Sequence, residues 1–286
     1  MRARIVRIVS KDYTVQFDDG SRAPAVAMGK LRQKQSPVVG DIVDVQMLND
    51  VWGIQKIQPR RNCLIRPACA NVDQALIVMS VKDPDFSPAL IDRLSVLITH
   101  AGILPVLCVT KCDLGISEET EARIREYEAG PMKVIRTAKD SLNREVESLF
   151  SNKVTVLTGQ SGAGKSTLLN EINPEFQLET QEISKALGRG RHTTRHSELH
   201  EVAEGLVADT PGFSSLDFSH MSVKDVGEAV PDFAPYLGGC RFNDCVHENE
   251  PDCAVKQALE AGLISETRYR NYLDILKLVR NRKESW

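Results

Sequence analysis

Two constellations in this chain have residue types and spacings that suit chemistry. The first, Gly159-Gln160-Ser161-Gly162-Ala163-Gly164-Lys165-Ser166-Thr167, fits the pattern of a phosphate-binding loop. Its glycines let backbone N–H groups turn inward around phosphate oxygens. Lys165 is long enough to reach the β and γ oxygens, which makes it a candidate for catalysis as well as binding. The Ser166 hydroxyl suits a Mg2+ ligand, and a following helix would present its positive end. The second constellation is Cys240-x4-Cys245-x-His247-x5-Cys253. Three thiolates and one imidazole are enough to close a tetrahedral structural zinc site, with no position left open for catalysis.

Shorter motifs indicate which nucleotide the loop would hold. Asp209-Thr-Pro-Gly212 follows the strand-like Leu206–Ala208 and fits a DxxG switch. Asp209 would hold the Mg2+ shell and the Gly212 N–H would meet the γ-phosphate. Thr110-Lys111-Cys112-Asp113 follows the buried-type run Ile103–Val109. A carboxylate at Asp113 accepts from both N1–H and N2–H2 of guanine. Adenine lacks that donor pair, and such a mismatch costs about 10^4-fold in discrimination. Thr137-Ala138-Lys139 suits the loop whose backbone touches guanine O6. Each motif is weak alone, but each stands at the C-terminal end of a strand, where parallel sheets bind ligands.

Between the phosphate loop and Asp209 lies Gly188-Arg-Gly-Arg-His192-Thr193-Thr194-Arg195, a natural first switch. One threonine hydroxyl there would cap Mg2+ and the γ-phosphate, and Thr194 is the choice made. Phe213 follows Gly212 where many GTPases carry a water-orienting glutamine. A phenylalanine cannot hydrogen-bond water, so unaided hydrolysis should be slow. His192 is the nearest group that could help; it reads equally well as a histidine that packs or meets RNA phosphate.

These motifs need elements to position them. Residues 1–60 read as short strands, Arg4–Val9, Tyr13–Phe17, Ile42–Gln46 and Val51–Ile57, with Asp18-Asp-Gly20 as a turn. That density suggests a small OB-type barrel. Tyr13, Val15 and Phe17 share one strand face and read as core rather than as a base-stacking platform. From Gln74 strands and helices alternate: strand Ala75–Val81, helix Pro88–Thr99, strand Ile103–Val109, helix Ser117–Ala129, strands Val134–Arg136 and Val154–Leu157. Alternation of this kind predicts a parallel sheet with helices on both faces. Beyond about residue 220 the chain turns helical around the cysteine cluster, ending in a helix from Ser265 with Tyr269, Tyr272, Leu273 and Leu276 at helical spacing.

The predicted organisation is multidomain. An all-β OB-type barrel spans residues 1–66, an α/β P-loop GTPase domain 67–220, and a mainly helical zinc-binding domain 221–286. The motif order is unusual. GTPases run from phosphate loop through switches to base-reading motifs, whereas here Asp113 and Lys139 precede the phosphate loop. A circular permutation explains this, because domain termini usually lie close together. It also makes the Asp209–Gly212 switch lead straight into the C-terminal domain. That region reads as poor in core signals, so the lobe is expected to unfold without metal.

Composition sets the remaining bounds. The chain has 286 residues, 42% hydrophobic and 26% charged. No apolar run nears the ~20 residues of a membrane span. The start, Met1 to Ser10, alternates charged and apolar residues and lacks the apolar block of a signal peptide. Seven cysteines is an odd number, which suits a reducing cytoplasm and a metal site better than a disulfide framework. Cys63, Cys69, Cys108 and Cys112 lie apart and read as ordinary reduced cysteines. The net charge of −3 hides an asymmetry: residues 1–66 carry 12 Lys/Arg against 6 Asp/Glu, and residues 67–286 carry 24 against 33. A basic module on an acidic body points to an anionic partner for the module, nucleic acid first.

Taken together, the barrel, Ala70-Asn-Val-Asp-Gln74, the permuted motifs, the Gly-Arg-Gly-Arg-His-Thr-Thr run and the zinc spacing resemble the ribosome small-subunit-dependent GTPase A family (RsgA, also called YjeQ or YloQ). The resemblance runs nearly end to end. It implies a GTP hydrolase acting late in maturation of the 30S ribosomal subunit and stimulated by it. It also implies 16S rRNA contact through the barrel and zinc domain, one structural Zn2+, Mg2+ with GTP, and a cytoplasmic monomer. One departure is Thr110 where many GTPases have Asn, though its hydroxyl can still bond neighbouring loops. Two other readings stay open here. One is a permuted P-loop enzyme acting on a tRNA or translation factor; the other is a nucleotide-gated RNA-binding module with negligible turnover.

Overall fold

The computed structural model describes residues 1–28, 36–65, 68–139, 144–173, 196–208 and 216–282. The chain divides into two compact units. One comprises Met1–Ala75, Asn143–Leu157 and Ser166–Gly212; the other comprises Leu76–Leu142, Thr158–Lys165 and Phe213–Trp286.

In the first unit, β1 (Arg2–Val9), β2 (Asp12–Gln16), β3 (Arg22–Ala27), β4 (Ile42–Leu48) and β5 (Val51–Ile57) form a closed barrel in the order β1-β2-β3-β5-β4, with β4 pairing back to β1. All pairs are antiparallel except β3 with β5. Alternating side chains point inward and make the core: Ile5, Tyr13, Val15, Val43, Val45 and Ile54 are buried, with Phe17 packed against them. Tyr13 and Phe17 are thus core residues, as their shared face suggested. Asp41 is fully buried below the barrel, and its carboxylate accepts from Arg60 Nε at 2.6 Å and from Val38 N–H at 2.8 Å. A small hairpin follows, β6 (Cys63–Ile65) with β7 (Ala68–Ala70).

The same unit holds an antiparallel hairpin, β12 (His196–Val202) with β13 (Gly205–Ala208), whose second strand lies parallel to the start of β11 (Val154–Gly159). The expected parallel sheet thus gains an antiparallel strand that the sequence reading did not include. The His-Ser-Glu-Leu-His-Glu-Val stretch carries too few apolar residues to read as a buried strand, yet it pairs on both sides. Strand β3 also escaped the sequence reading, because Pro24 and the alternating Ala23, Ala25 and Ala27 have low strand propensity.

The second unit carries β8 (Gln74–Ser80) and the parallel pair β9 (Leu104–Thr110) and β10 (Lys133–Arg136). Helix α1 (Pro88–His100) starts where the Ser87 hydroxyl accepts the Leu90 N–H and Pro88 presets the first turn. It buries Ile91, Leu94 and Ile98. Helix α2 (Glu118–Glu128) is capped by Ser117 and opens with three glutamates that suit the positive helix end. Helix α3 (Arg144–Phe150) and, from Ser166 on, helix α4 (Lys165–Ile172) belong to the first unit; the second continues with α5 (Val223–Glu228), a 3-10 turn at Pro231–Tyr236, α6 (Ala254–Glu260) and α7 (Glu266–Arg280).

The C-terminal lobe is better filled than its sequence suggested. Phe233, Val226, Val255, Tyr272, Ile275 and Leu276 form a buried cluster that includes Val96 and Leu97 of α1. Arg268 of α7 sits between two buried carboxylates, 3.4 Å from Asp92 and 2.6 Å from Asp232, with its guanidinium 4.5 Å over the Tyr127 ring. Burial pushes Asp92 up to about 6. The lobe therefore packs on a core that reaches beyond the metal ligands and is shared with α1.

Candidate functional site

Strand β11 is buried along its length up to Leu157 and delivers the chain to Gly159. Gly159 has φ +121, and a Cβ there would lie 2.0 Å from the Val78 carbonyl oxygen. Only glycine fits, so this residue fixes where the phosphate loop leaves its strand. Lys165, the first residue of α4, is 8% exposed. Its Nζ reaches back along the loop and donates to the carbonyl oxygens of Gly159, at 3.0 Å, and Gln160. Burial lowers Lys165 to about 8. Ser166 is buried beside it in sequence, while Ser161 and Gly162 are exposed at the loop tip and Thr167 is exposed on α4. An ammonium held over a glycine loop by backbone carbonyls is arranged to exchange those weak acceptors for phosphate oxygens.

The motifs predicted to read the base lie at the ends of β9 and β10, which run parallel with Arg136 beside Val109. The Thr137 N–H donates to Val109 O at 2.7 Å, the Cys112 N–H donates to Thr137 O at 3.1 Å, and the Lys139 N–H donates to Asp113 Oδ1 at 3.1 Å. The Thr110 and Thr137 motifs are thereby laced together. No hydrogen bond to the second oxygen of Asp113 forms among the described residues, and the residue is exposed. Arg136 braces this end by donating to Glu121, at 2.7 Å from NH1, and to Glu128, at 2.7 Å from Nε, both on α2.

Thr110 supplies the link between base and phosphate loops. Its hydroxyl donates to the Ala163 carbonyl at 2.6 Å, and a Cβ placed on Gly164 would meet the Thr110 hydroxyl at 3.7 Å, an ordinary van der Waals separation. The departure from asparagine thus keeps a bond to the neighbouring loop. One participant was missed from sequence. The segment Val81–Phe86 lies over this edge: Lys111 Nζ donates to the Asp83 carbonyl, Ser80 Oγ donates to the Pro84 carbonyl at 2.7 Å, and Pro84 abuts Gly162. Asp83-Pro84-Asp85 directly after a buried strand was a usable turn signal at a ligand-binding sheet end.

The remaining nucleotide candidates, His192, Thr194, Asp209 and Gly212, lie outside the described residues. Their flanks are described. β12 begins at His196, one residue beyond the first switch, and β13 ends at Ala208, immediately before Asp209.

The four predicted zinc ligands converge. A tetrahedral ion with Zn–S about 2.3 Å and Zn–N about 2.0–2.1 Å requires S···N edges of about 3.5 Å and S···S edges of about 3.8 Å. His247 Nδ1 lies 3.5, 3.5 and 3.4 Å from the sulfurs of Cys240, Cys245 and Cys253, and the Cys240 and Cys253 sulfurs are 3.9 Å apart. The donor set fits zinc. Supporting groups fix it: Phe233 meets the His247 ring edge-on at 5.7 Å, Tyr269 Oη donates to the His247 carbonyl at 2.7 Å, and the Glu250 carboxylate accepts from the N–H groups of Val246, Glu248 and Asn249. Most of the buried cluster consists of residues other than the metal ligands, so metal loss is expected to loosen the ligand loop first. Cys245→Ser or chelation should release zinc and make Gly239–Cys253 protease-sensitive, while α7 stays packed and GTP affinity changes less than about twofold. Metal analysis with limited proteolysis checks this, and cleavage spreading through α7 would contradict it.

The model of the RsgA GTPase family matches residues 57–219. The small ribosomal subunit biogenesis GTPase RsgA of Shouchella clausii is 43% identical over 289 residues, covering 99% of this chain and 98% of the relative. Its counterpart in Enterococcus faecalis is also 43% identical, covering 99% and 97%. Among solved structures, YloQ, a circularly permuted GTPase, matches with a TM-score of 0.84 at 36% identity, covering 100% of this chain and 96% of YloQ. YjeQ from Thermotoga maritima matches with a TM-score of 0.84 at 30% identity, covering 99% of each.

Proposed function

Because the chain belongs to the RsgA GTPase family, we propose that it hydrolyses GTP as a late maturation factor of the small ribosomal subunit. We take its working parts to be the barrel of residues 1–66, the permuted GTPase domain 67–220 and the zinc domain 221–286. The observation that carries the nucleotide reading is the Thr110 hydroxyl bonded to Ala163. It joins the Thr110 loop to the phosphate loop although Thr110 and Ala163 lie 53 residues apart in sequence.

In this reading Gly159–Thr167 cradles the phosphates, and Lys165 transfers its hydrogen bonds from loop carbonyls to the β and γ oxygens. Asp113 accepts from guanine, with Thr110, Lys111 and Thr137-Ala138-Lys139 shaping the base pocket. Ser166, Thr194 and Asp209 would hold Mg2+, which supplies charge neutralisation on the phosphates when bound. Gly212 N–H meets the γ-phosphate, and His192 positions water where Phe213 cannot. The basic barrel and the zinc lobe meet 16S rRNA on the 30S subunit. The protein acts as a monomer in the cytoplasm, a reading consistent with the lack of any membrane-length apolar helix among the described residues.

The test is turnover with isolated small subunits, large subunits and tRNA. Stimulation by small subunits alone is expected; equal stimulation by large subunits or tRNA would move the target elsewhere. His192→Ala should spare GTP binding and lower subunit-stimulated turnover by roughly 10^2-fold. An unchanged stimulated kcat would return His192 to a packing or RNA-contact role.

A further inference from the structure

Strands β8 and β9 are neighbours in the sheet, and the chain after β8 is tied to the motif after β9 at two points. The Val81 N–H donates to the Thr110 carbonyl at 3.1 Å. Two residues further on, the Asp83 carbonyl accepts from Lys111 Nζ. These residues, with Asp113, Lys139 and the loop Gly159–Lys165, all belong to the second unit. Lys111 has φ +59, in the left-handed region that penalises any residue with a Cβ. Glycine would sit there more easily, so the use of lysine rests on its side chain. Among the described residues its ammonium donates to the Asp83 carbonyl alone. The direction of the Lys111 stem therefore depends on where that carbonyl stands.

Ser80 decides where it stands. Residues Ala75 to Met79 of β8 are apolar and buried, and Ser80 ends the strand with a fully buried hydroxyl. A hydroxyl in such a place is costly unless it is bonded. It donates to the Pro84 carbonyl at 2.7 Å and closes the turn that presents the Asp83 carbonyl. The far side of the turn is pinned by Phe86, whose ring meets the buried Tyr127 ring edge-on at 6.3 Å. Ser80 is the one donor to the Pro84 carbonyl among the described residues, and Pro84 is half-buried. Without the hydroxyl that carbonyl must turn outward to water, and the neighbouring Asp83 carbonyl moves with it.

We propose that Ser80 is a positioning residue for the guanine nucleotide. It fixes the Val81–Phe86 turn, and the Asp83 carbonyl of that turn fixes Lys111 two residues before Asp113. This rests on the nucleotide site proposed above, in which Lys111 and Asp113 shape the base pocket. The effect of Ser80 falls on binding, because the base is held alike before and during hydrolysis.

Steady-state GTP turnover of the full-length protein tests this in a double-mutant cycle. Ser80→Ala removes one hydroxyl from a strand, and a thermal melt checks that the variant folds. It should raise KM about fivefold and leave kcat within about twofold. Lys111→Met keeps the stem but loses the ammonium, and it should raise KM at least as much. The double variant should match Lys111→Met within about twofold, because Ser80 acts through that ammonium. A second measurement leaves Ser80 untouched. Saturating GDP should slow amide exchange at Asp83 and Asp85 about fivefold in the wild type, and not in Lys111→Met. An unchanged KM in Ser80→Ala, KM losses that multiply in the double variant, or a turn whose exchange ignores GDP overturns the inference. Nucleotide binding by the wild type then leaves the site itself standing. A wild type that binds neither GTP nor GDP overturns both.

Discussion

Alanine in place of Lys165 is expected to lower GTP turnover by about 10^3-fold or more without unfolding the protein. The ammonium is buried and, among the described residues, donates to the Gly159 and Gln160 carbonyls alone, so its removal sacrifices little native structure. The same burial makes a pH prediction. Unliganded Lys165 titrates near 8, whereas phosphates beside it favour the charged form. Binding must therefore draw in a proton once the free protein has lost it. GTP and GDP affinity should be flat between about pH 7 and 7.5, then fall by up to about tenfold per unit above pH 8. Calorimetry in buffers of different ionisation enthalpy should show uptake approaching one proton near pH 9, absent in Lys165→Ala. Phosphate release with a thermal melt checks the first claim. Near wild-type hydrolysis by a folded variant would remove this loop from the active site.

The second large effect concerns the base. Asp113→Asn is expected to weaken GTP by about 10^2-fold or more and to favour xanthosine triphosphate, inverting the preference. The Asp113–Lys139 geometry makes this substitution compatible with the fold. The Lys139 N–H donates to one oxygen of Asp113, and the amide oxygen of asparagine can accept it equally well. The amide nitrogen then faces the base, where it can donate to the C2 oxygen of xanthine; the carboxylate could only accept. Competition between the two nucleotides measures the inversion. A retained preference for GTP would mean that Asp113 does not read the base.

The readings that rest on local chemistry were legible from sequence. Gly159 and Gly164 stand where a loop must turn its backbone inward, and Lys165 and Ser166 follow at the reach that phosphate and Mg2+ require. The Cys240, Cys245, His247 and Cys253 cluster, whose donor set fits zinc, was visible for the same reason. Thiolate and imidazole are chosen by the metal, and the four lie within one short stretch whose supporting groups need not be known. The order of Asp113, Lys139 and Lys165 along the chain was enough to expose the permutation.

Other features depend on partners distant in sequence. The Thr110 hydroxyl could have bonded any neighbouring loop, and the fold chose Ala163. Val81–Phe86 became part of the site because β8 ends beside the phosphate loop at Val78 and Gly159. The C-terminal core was hidden because its apolar residues are spread over Phe218–Val279 and completed by Val96 and Leu97 of α1, so no single window looks hydrophobic. Pairing of β1 with β12 joins residues some 190 apart. Local motifs are determined by sequence because covalent spacing alone brings their groups together. Strand partners and shared cores are decided in three dimensions, because many segments have a compatible edge or apolar face and only the folded chain selects among them.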